Sequence, residues 1–229
     1  MNWKNTWNDL AASTTSLERQ VGRIYCNRSQ PDPEVPLALS IANIARHLQL
    51  KPSEALLDVC CGNGLLTLRL AQSCRQVVGV DFSPAMIKVA QGNALPNIEY
   101  IVGDVRNLPE LPHERFDKIC LNFSFQYFEN YETGRTVIAG LLKKLKPGGR
   151  ILISDIPDRS RQWHFYRTWK SRLFLIYQKL NGKNAMGKFW CRHEIASICR
   201  ELQVEGIFLP QTSELPYSHY RFDYLILNK

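Results

Sequence analysis

Long apolar runs are missing from this sequence. Its first twenty residues, MNWKNTWNDLAASTTSLERQ, carry a polar or charged group every two or three positions, so they lack the apolar region of a secretory signal peptide. No stretch approaches the roughly twenty uninterrupted apolar residues of a membrane-spanning helix. We therefore expect a soluble, cytoplasmic protein. The 229 residues, 45% of them apolar, are enough for one sizeable core.

The cysteine spacing of disulfide-rich or zinc-binding proteins is also missing. The seven cysteines are odd in number, Cys60 and Cys61 are adjacent, and no Cys-x-x-Cys pair occurs. These spacings fit neither a disulfide framework nor a structural zinc site. We expect reduced, mostly buried cysteines that pack as small apolar side chains.

Acidic residues are absent from the segment between Arg159 and Arg192, which holds nine Lys or Arg residues. The rest of the chain holds 20 basic and 21 acidic residues, so this basic segment carries all of the net charge of +8. It has three interpretations: a solvated helix face, a lid that binds an anion, or a surface for RNA or a membrane. Its aromatic residues could stack on bases, but we expect them to pack the lid and a pocket; they are Trp163, Phe165, Tyr166, Trp169, Phe174 and Tyr177.

Short apolar runs alternate with helical patterns through the middle of the chain. The strand-like runs are ALLDVCC, VVGVD, IEYIVGD, FDKICLNF and RILISD, and the helical segments include 33–49, LLTLRLAQSC and TVIAGLLKKL. The pair Ser83-Pro84 is typical of a helix start, with Ser at the N-cap and Pro at the first helical position. The alternation predicts an α/β protein with a doubly wound, mostly parallel sheet and helices on both faces.

Both ends of the chain depart from this alternation. Residues 192–202 are predicted to form a helix, and VEGIFLP and LPYSHYRFDYLILNK two strands joined by a short loop, an antiparallel hairpin that completes a seven-stranded sheet. We expect one domain over 1–229. Two pieces outside the α/β pattern, an N-terminal segment (1–32) and a basic insert (156–192), should pack over the mouth of the site.

Glycines and carboxylates follow the predicted strands where ligands bind in open α/β sheets. Asp58 ends the first strand and leads into Gly62-Asn63-Gly64, whose glycines let a ligand approach the backbone at a helix N-terminus. Asp81 ends the second strand and can accept both hydroxyls of a ribose. Asp104 ends the third strand and can accept from an exocyclic amine. The set fits an adenosine that bears a charged tail.

Two other nucleotide sites are excluded by residues of the same loop. A dinucleotide fingerprint Gly-x-Gly-x-x-Gly that begins at Gly62 would need a third glycine where Thr67 stands. The Lys-Ser/Thr pair of a phosphate-binding P-loop does not follow the loop either.

These motifs resemble the class I S-adenosylmethionine-dependent methyltransferases. The resemblance covers roughly residues 35–155 and consists of five motifs in the family's order: LLDVCCGNGLLTLRLA, VVGVDFSPAMI, GDVRNLP, FDKICLNFSFQYF and LLKKLKPGGRILISD. It implies a Rossmann-like fold and S-adenosyl-L-methionine as the methyl donor.

Residue by residue, the resemblance implies a donor site. The loop from Asp58 to Gly64 would hold the methionine part, and Asp81 the ribose. The other donor residues would be Phe82 and Met86 on the two faces of the adenine, Asp104 and Val105 at its edge, and Asn122 beneath the sulfonium. Cys60 replaces the family's first glycine, and we expect it to have a negative φ and to narrow the loop.

The acceptor side carries weaker signals. Asn122-Phe123-Ser124-Phe125 lacks the Asn/Asp-Pro-Pro-Tyr motif of the family's DNA and glutamine enzymes, and too few acidic residues follow strands four and five for a catalytic metal. We predict no metal. Gln126 could orient an acceptor oxygen or simply cap the loop. His164, Tyr166 and His219 complete the predicted catalytic set, and each histidine could equally be structural.

IPDRSRQWHFY and LPYSHYRFD resemble elements of a bacterial subgroup of small methyltransferases often encoded among surface-polysaccharide and other biosynthetic genes. The resemblance implies methyl transfer to a small-molecule or carrier-linked acceptor, which the basic segment suggests is anionic, with oxygen as the favoured acceptor atom. Two alternatives stay open: an RNA methyltransferase that uses the basic segment, and a non-catalytic donor-binding protein.

Overall fold

Seven strands make up the sheet in the computed structural model, which describes residues 8–9, 17, 34–108, 111, 115–181 and 186–228. The strands are β1 Ala55–Val59, β2 Gln76–Asp81, β3 Ile98–Val102, β4 Phe116–Asn122, β5 Leu145–Pro157, β6 Glu205–Pro210 and β7 Arg221–Leu227. They lie in the order β3-β2-β1-β4-β5-β7-β6. Strands β1 to β5 pair in parallel, and β7 runs antiparallel to both β5 and β6. The predicted seven-stranded sheet and its terminal hairpin are confirmed.

The strand order reverses between β1 and β4, where the chain crosses from one half of the sheet to the other. At such a switch point the loops that follow neighbouring strands separate and leave a crevice at the carboxyl edge of the sheet. The loops after β1 and β4 therefore flank the place where a ligand of this fold binds.

Helices cover both faces of the sheet. They are α1 Glu34–Leu48, α2 Leu65–Leu70, α3 Pro84–Gln91, α4 Tyr131–Lys143, α5 Gln162–Phe165, α6 Trp169–Leu180 and α7 Arg192–Glu201. Helix α3 begins as predicted, because the Ser83 hydroxyl accepts a hydrogen bond from the Met86 amide at 3.2 Å and Pro84 stands at the first position.

The core follows from the two-sided burial of the central strands. All five residues of β1 are buried, with Leu57 and Val59 in the apolar cluster on one face and Leu56 in the cluster on the other. Continuous apolar strands of this kind are expected when helices cover both faces of a parallel sheet. Within the described residues, no helix is both long enough and apolar enough to cross a membrane.

Three element boundaries differ from the predictions. Strand β5 begins at Leu145, earlier than the predicted RILISD, because the Lys-Pro-Gly-Gly stretch continues the strand. Helix α2 ends at Leu70 and gives way to a 3-10 turn over Ala71–Ser73. Residues 215–220 form turns within a ten-residue connection between β6 and β7. The prediction that they belong to a strand preceded by a short loop is therefore wrong. Strand β7 starts only at Arg221.

Candidate functional site

Three of the five residues in the loop that follows β1 have a left-handed backbone conformation. Cys60 has φ of 59°, Gly62 of 57° and Gly64 of 79°. The expectation of a negative φ at Cys60 is wrong: the chain must reverse at once so that the Cys61 amide can donate to the carbonyl of Val80 at 3.1 Å. A non-glycine residue held in this conformation is strained, and such residues concentrate at functional sites.

The two glycines of the loop have different surroundings. Among the described residues, no atom lies within 4 Å of a Cβ atom built on Gly62, so this glycine borders open space in that part of the structure. A Cβ on Gly64 would overlap the Tyr100 hydroxyl, which donates to the Gly64 carbonyl at 3.3 Å. Gly64 is therefore needed for packing against Tyr100, and its predicted contact with a ligand stays a prediction. The open side of the loop therefore lies at Gly62, and we call the loop of residues 60–64 the cradle.

Asp81 fastens this cradle to the second strand. Its Oδ2 accepts from the Gly62 amide at 3.0 Å and its Oδ1 from the Ser83 amide at 2.9 Å. The carboxyl is only 6% exposed, and burial raises its pKa although both amide hydrogen bonds oppose the rise. Each carboxylate oxygen can accept a second hydrogen bond, so the group can hold the loop and still receive two hydroxyls.

Asp58 lies beneath the same loop in a fully buried position. The Thr67 hydroxyl, from the first turn of α2, donates to its Oδ2 at 2.6 Å. Burial, reinforced by the negative charge of Asp81, raises the pKa of Asp58 to about 7 against the pull of Thr67. A carboxyl whose pKa is near 7 is only partly ionised at neutral pH, so a cation that binds beside it readily shifts it to the charged form.

The predicted adenine residues lie along the next part of the edge. Met86 is buried on α3, Phe82 is half-buried, and Val105 packs into the core. Asp104 is half-exposed, and both of its oxygens accept from the Arg106 guanidinium. An adenine amine would have to share these oxygens with Arg106, which the sequence reasoning did not include.

The end of β4 forms the floor of the crevice on the other side of the switch point. Asn122 is buried, and its Oδ1 accepts from the Ser154 hydroxyl at 2.8 Å. Phe123, the next residue, has φ of 54°. Gln126 donates from Nε2 to the Phe123 carbonyl at 2.8 Å, while its buried Oε1 has no hydrogen-bond partner within the described residues. This amide both braces the loop and retains a free acceptor atom.

A buried charge network closes the crevice beyond β4. Arg221, at the start of β7, is 2% exposed; its guanidinium lies 4.0 Å from the Phe123 ring centroid and donates to the Asp155 carbonyl. Burial raises the pKa of the Asp155 carboxyl, and the charge of Arg221 opposes the rise. Burial and Asp155 together raise the pKa of Asp223 to about 6. Gln211 donates to both carboxylates, at 3.0 and 2.8 Å.

The remaining predicted catalytic residues differ in solvent exposure. His164 and His219 are exposed, and they lie near enough to interact electrostatically; burial, Arg167 and His164 lower the pKa of His219. Tyr166 is buried in an aromatic cluster with Phe189 and Tyr220, and burial raises the pKa of its phenol.

Of the N-terminal segment 1–32, only residues 8, 9 and 17 are described, so most of the prediction that it covers the site lies outside the described residues. Two contacts are visible. The Ser83 hydroxyl donates to Asn8 Oδ1 at 2.6 Å, and Asn63 Nδ2 donates to the Leu17 carbonyl at 2.9 Å. Both reach residues adjacent to the cradle.

Sequence reasoning missed Thr67 and Arg106 as parts of the site, and it included Arg221 only as a member of the acceptor-side segment LPYSHYRFD, without its burial. Thr67 had a signal, since a hydroxyl in the first turn after a glycine loop can reach back to the strand that precedes it. Arg106 follows Asp104 by two residues, a spacing at which the two side chains can pair. Burial of Arg221 had no local signal, because it depends on Phe123, which follows β4, and on Tyr217 and Tyr220 of the 211–220 connection.

Comparisons with known proteins agree with this geometry. Residues 56–149 match a family model described as a methyltransferase domain. The demethylmenaquinone methyltransferase of Oceanobacillus iheyensis is 31% identical over 178 residues, which cover 72% of this chain and 71% of that protein. The enzyme of the same name from Lysinibacillus sphaericus is 32% identical over 155 residues. That match covers 63% of each chain, less than two thirds of the relative's length.

Solved structures share the fold at low sequence identity. The N-methyltransferase NodS from Bradyrhizobium japonicum WM9, in complex with S-adenosyl-L-homocysteine, has a TM-score of 0.65 at 17% identity, over 100% of this chain and 99% of that one. Magnesium protoporphyrin IX methyltransferase from Synechocystis PCC 6803, with bound S-adenosylmethionine, has a TM-score of 0.65 at 18% identity, over 100% and 98%. The sheet order, the glycine cradle and these matches lead to one conclusion: the chain belongs to the class I S-adenosylmethionine-dependent methyltransferases, whose cofactor is S-adenosyl-L-methionine.

Proposed function

We propose that this chain transfers the methyl group of S-adenosylmethionine to an oxygen of a small-molecule or carrier-linked acceptor. The observation that carries the proposal is the loop of residues 60–64: Gly62 has a left-handed backbone, no described atom lies near its Cβ position, and its amide donates to the Asp81 carboxylate at the end of β2. A backbone that a ligand approaches closely needs a glycine, and a ribose needs paired acceptors.

The donor residues keep the roles that the family resemblance implies. Asp81 binds the ribose hydroxyls, Asp58 pairs with the ammonium of the methionine part, and Asn122 lies beneath the sulfonium. When bound, the cofactor supplies a methyl group on a positively charged sulfur, which is already activated for displacement. The chain then has to align the acceptor oxygen with that methyl group and exclude water.

The acceptor side is proposed from the crevice beyond β4. The Oε1 atom of Gln126, which has no partner among the described residues, can accept a hydrogen bond from an acceptor hydroxyl. We assign removal of the proton to His219, because burial and the charge of Arg167 lower its pKa and so favour the neutral imidazole that a base requires; His164 lies close enough to add to this effect. We assign Tyr166 to the pocket wall, because a phenol whose pKa is raised by burial is a poor base. The relatives named for demethylmenaquinone support a small-molecule acceptor.

Labelled donor and fractionated cell extract test the proposal. The protein is incubated with methyl-labelled S-adenosylmethionine and with separate pools of small molecules, RNA and protein. Label is expected on an oxygen atom of a product in the small-molecule pool, or in the protein pool where the acceptor is attached to a carrier. Label in RNA would favour the nucleic-acid alternative, and no label in any pool would favour a non-catalytic donor-binding protein.

Donor affinity should depend on pH through Asp58. With a pKa of about 7 in the free protein, this carboxyl must lose its proton before it can pair with an ammonium. Raising the pH from about 6 to about 8 should therefore tighten S-adenosylhomocysteine binding about tenfold. Calorimetry at several pH values measures this, and Asp58→Asn should bind weakly with no such dependence. A wild type that shows a flat profile would remove Asp58 from the ammonium site.

The raised pKa of Asp58 also determines how the free energy of unfolding changes with pH. The folded chain binds the Asp58 proton more tightly than the unfolded chain does, so this contribution to stability is present at low pH. It should be lost as the pH rises from about 4 to about 7. The free energy of unfolding of the ligand-free wild type should fall over this window relative to that of Asp58→Asn, which denaturant titrations at each pH can measure.

An anionic acceptor should depend on Arg167. Arg161 donates to the Ser218 carbonyl and Arg172 to the Tyr166 carbonyl, so both have structural partners. Arg167 is exposed and lowers the pKa of His219, which places its charge beside the proposed base. Arg167→Glu should raise the acceptor KM at least about tenfold and leave donor affinity unchanged. Arg159→Glu, on the same basic segment, is the matched control. If Arg167→Glu leaves the acceptor KM within about twofold of the wild-type value, the acceptor does not depend on the positive charge of Arg167.

A further inference from the structure

Helix α6 leaves most of its surface in water although much of it is apolar. Seven large hydrophobic side chains between residues 163 and 180 are more than half exposed: Trp163, Trp169, Leu173, Phe174, Ile176, Tyr177 and Leu180. Leu180 is 82% exposed and Trp169 67%. Single exposed apolar residues are ordinary, but six of these seven lie together on α6, and a contiguous group of this kind marks a binding surface.

Five of these residues form a stripe along one side of the helix. Trp169, Leu173, Ile176, Tyr177 and Leu180 follow each other at the spacing i, i+4, i+7, i+8 and i+11, which places them on one helical face. We call this face the apolar stripe. The buried residues of the helix, Leu175 and Gln178, lie on the opposite side. The helix is thus anchored to the domain by one face and presents the apolar stripe outward.

Positive charge borders the apolar stripe on both sides. Lys170 follows Trp169 and Arg172 precedes Leu173, so helical geometry puts them on opposite flanks of the stripe. Lys170 lies over the Trp169 ring and Arg172 over the Trp163 ring, with 5.7 and 5.2 Å to the ring centroids. No acidic residue occurs anywhere in the segment.

From this arrangement we propose that α6 docks on an anionic phospholipid bilayer, with the apolar stripe inserted among the upper acyl chains and the flanking cations at the phosphates. An apolar face that carries tryptophan and is bordered by Lys and Arg is the pattern of helices that lie in a membrane interface. RNA would be met by the cations but would leave the aliphatic side chains Leu173, Ile176 and Leu180 in water. The aliphatic part of the stripe therefore favours lipid over nucleic acid.

The docked helix would bring the acceptor side of the site to the membrane. Leu175, on the anchored face, packs in one cluster with Tyr166 and Tyr220, and Tyr220 precedes the buried Arg221. Docking would thus place the crevice beyond β4 next to the lipid, which suits an acceptor drawn from the bilayer. Only this last step rests on the proposed function, since the membrane contact itself does not require catalysis.

Vesicle flotation tests the docking. Vesicles of phosphatidylcholine with about one third phosphatidylglycerol provide the anionic surface, and pure phosphatidylcholine vesicles the neutral one. The double variant Leu173→Gln/Ile176→Gln removes two apolar side chains without changing charge or helix propensity much. Val35→Gln/Leu95→Gln is the matched control, because both residues are exposed apolar side chains away from α6. S-adenosylhomocysteine binding and circular dichroism, measured on every variant, confirm the fold and keep this test separate from that of the proposed function.

The wild type and the control should bind anionic vesicles, more weakly as salt rises, and the α6 variant should bind at least about tenfold more weakly. Four results would overturn the proposal. One is a wild type that ignores anionic vesicles, and another an α6 variant that binds them equally well. The third is a wild-type dimer, detected by light scattering, that the α6 variant dissociates while neither protein binds vesicles. An RNA oligonucleotide bound more tightly than vesicles, regardless of Leu173 and Ile176, would also count against it.

Discussion

Replacing Gly62 with valine should weaken S-adenosylhomocysteine binding at least about a hundredfold while the domain stays folded. A side chain at this position would point into the open space of the cradle, where the methionine part of the donor is proposed to lie. The substitution also forces a β-branched residue to adopt φ of 57°, which strains the backbone by roughly 1–3 kcal/mol. Calorimetry measures the affinity, and circular dichroism and a denaturant titration measure the fold.

The chain offers a close control for the strain. Gly148 also has a positive φ, of 73°, and no atom of the described residues lies within 4 Å of a Cβ built on it, but it lies in the stretch that begins β5, away from the cradle. Gly148→Val should lose similar stability and keep normal donor affinity. Equal donor affinity in both variants would show that the ligand does not pass over Gly62.

The second large effect is expected at Asp81. Asp81→Ala should cost about 2–4 kcal/mol of donor binding, because it removes charge-assisted acceptors from the ribose and releases the Gly62 amide that shapes the cradle. Asp81→Asn should be milder, since one acceptor oxygen remains. Competition binding with S-adenosylhomocysteine distinguishes the two variants.

Asp117 provides the matched comparison. It also ties one strand to another through a backbone amide, accepting from Ala55 at 2.8 Å, but it stands at the start of β4, at the opposite edge of the sheet. Asp117→Ala should reduce stability and spare donor binding. Should Asp81→Ala bind the ligand as tightly as the wild type, Asp81 would be only a structural support of the loop, as a helix cap is.

The parts of the structure that sequence predicted well are those set by local pattern. Alternating apolar runs and helical patterns predicted the parallel sheet, and Ser83-Pro84 predicted the start of α3. Asp58 and Asp81 belong to neighbouring strands, and the rule that parallel strands end at one edge predicted that they lie close together. Asn122, at the end of a third strand, was assigned to the site by the family resemblance. None of these inferences required knowledge of distant contacts.

The parts that sequence predicted poorly depend on tertiary contacts. The left-handed conformation of Cys60 follows from a hydrogen bond to a neighbouring strand, and the need for glycine at position 64 follows from Tyr100. Neither is visible in the loop's own residues. The environment of Arg221 is likewise created by side chains from two other segments.

The packing of the aromatic residues in the basic segment was also predicted only in part. Its aromatic residues were expected to pack the lid and a pocket, and Phe165 and Tyr166 do pack in the aromatic cluster. Trp169, Phe174 and Tyr177 are exposed instead, because α6, which carries them, contacts the domain by a narrow face, and Trp163 on α5 is exposed as well. A helical stripe in the sequence cannot by itself distinguish a face that packs on the same chain from one that meets a partner.

The most direct test of the donor site is a crystal structure of the protein grown with S-adenosylhomocysteine. We predict that the methionine part lies over Gly62, that both ribose hydroxyls are within hydrogen-bond distance of the Asp81 carboxylate, and that the ammonium faces Asp58. A ligand found elsewhere on the sheet, or a ribose without contact to Asp81, would contradict the account.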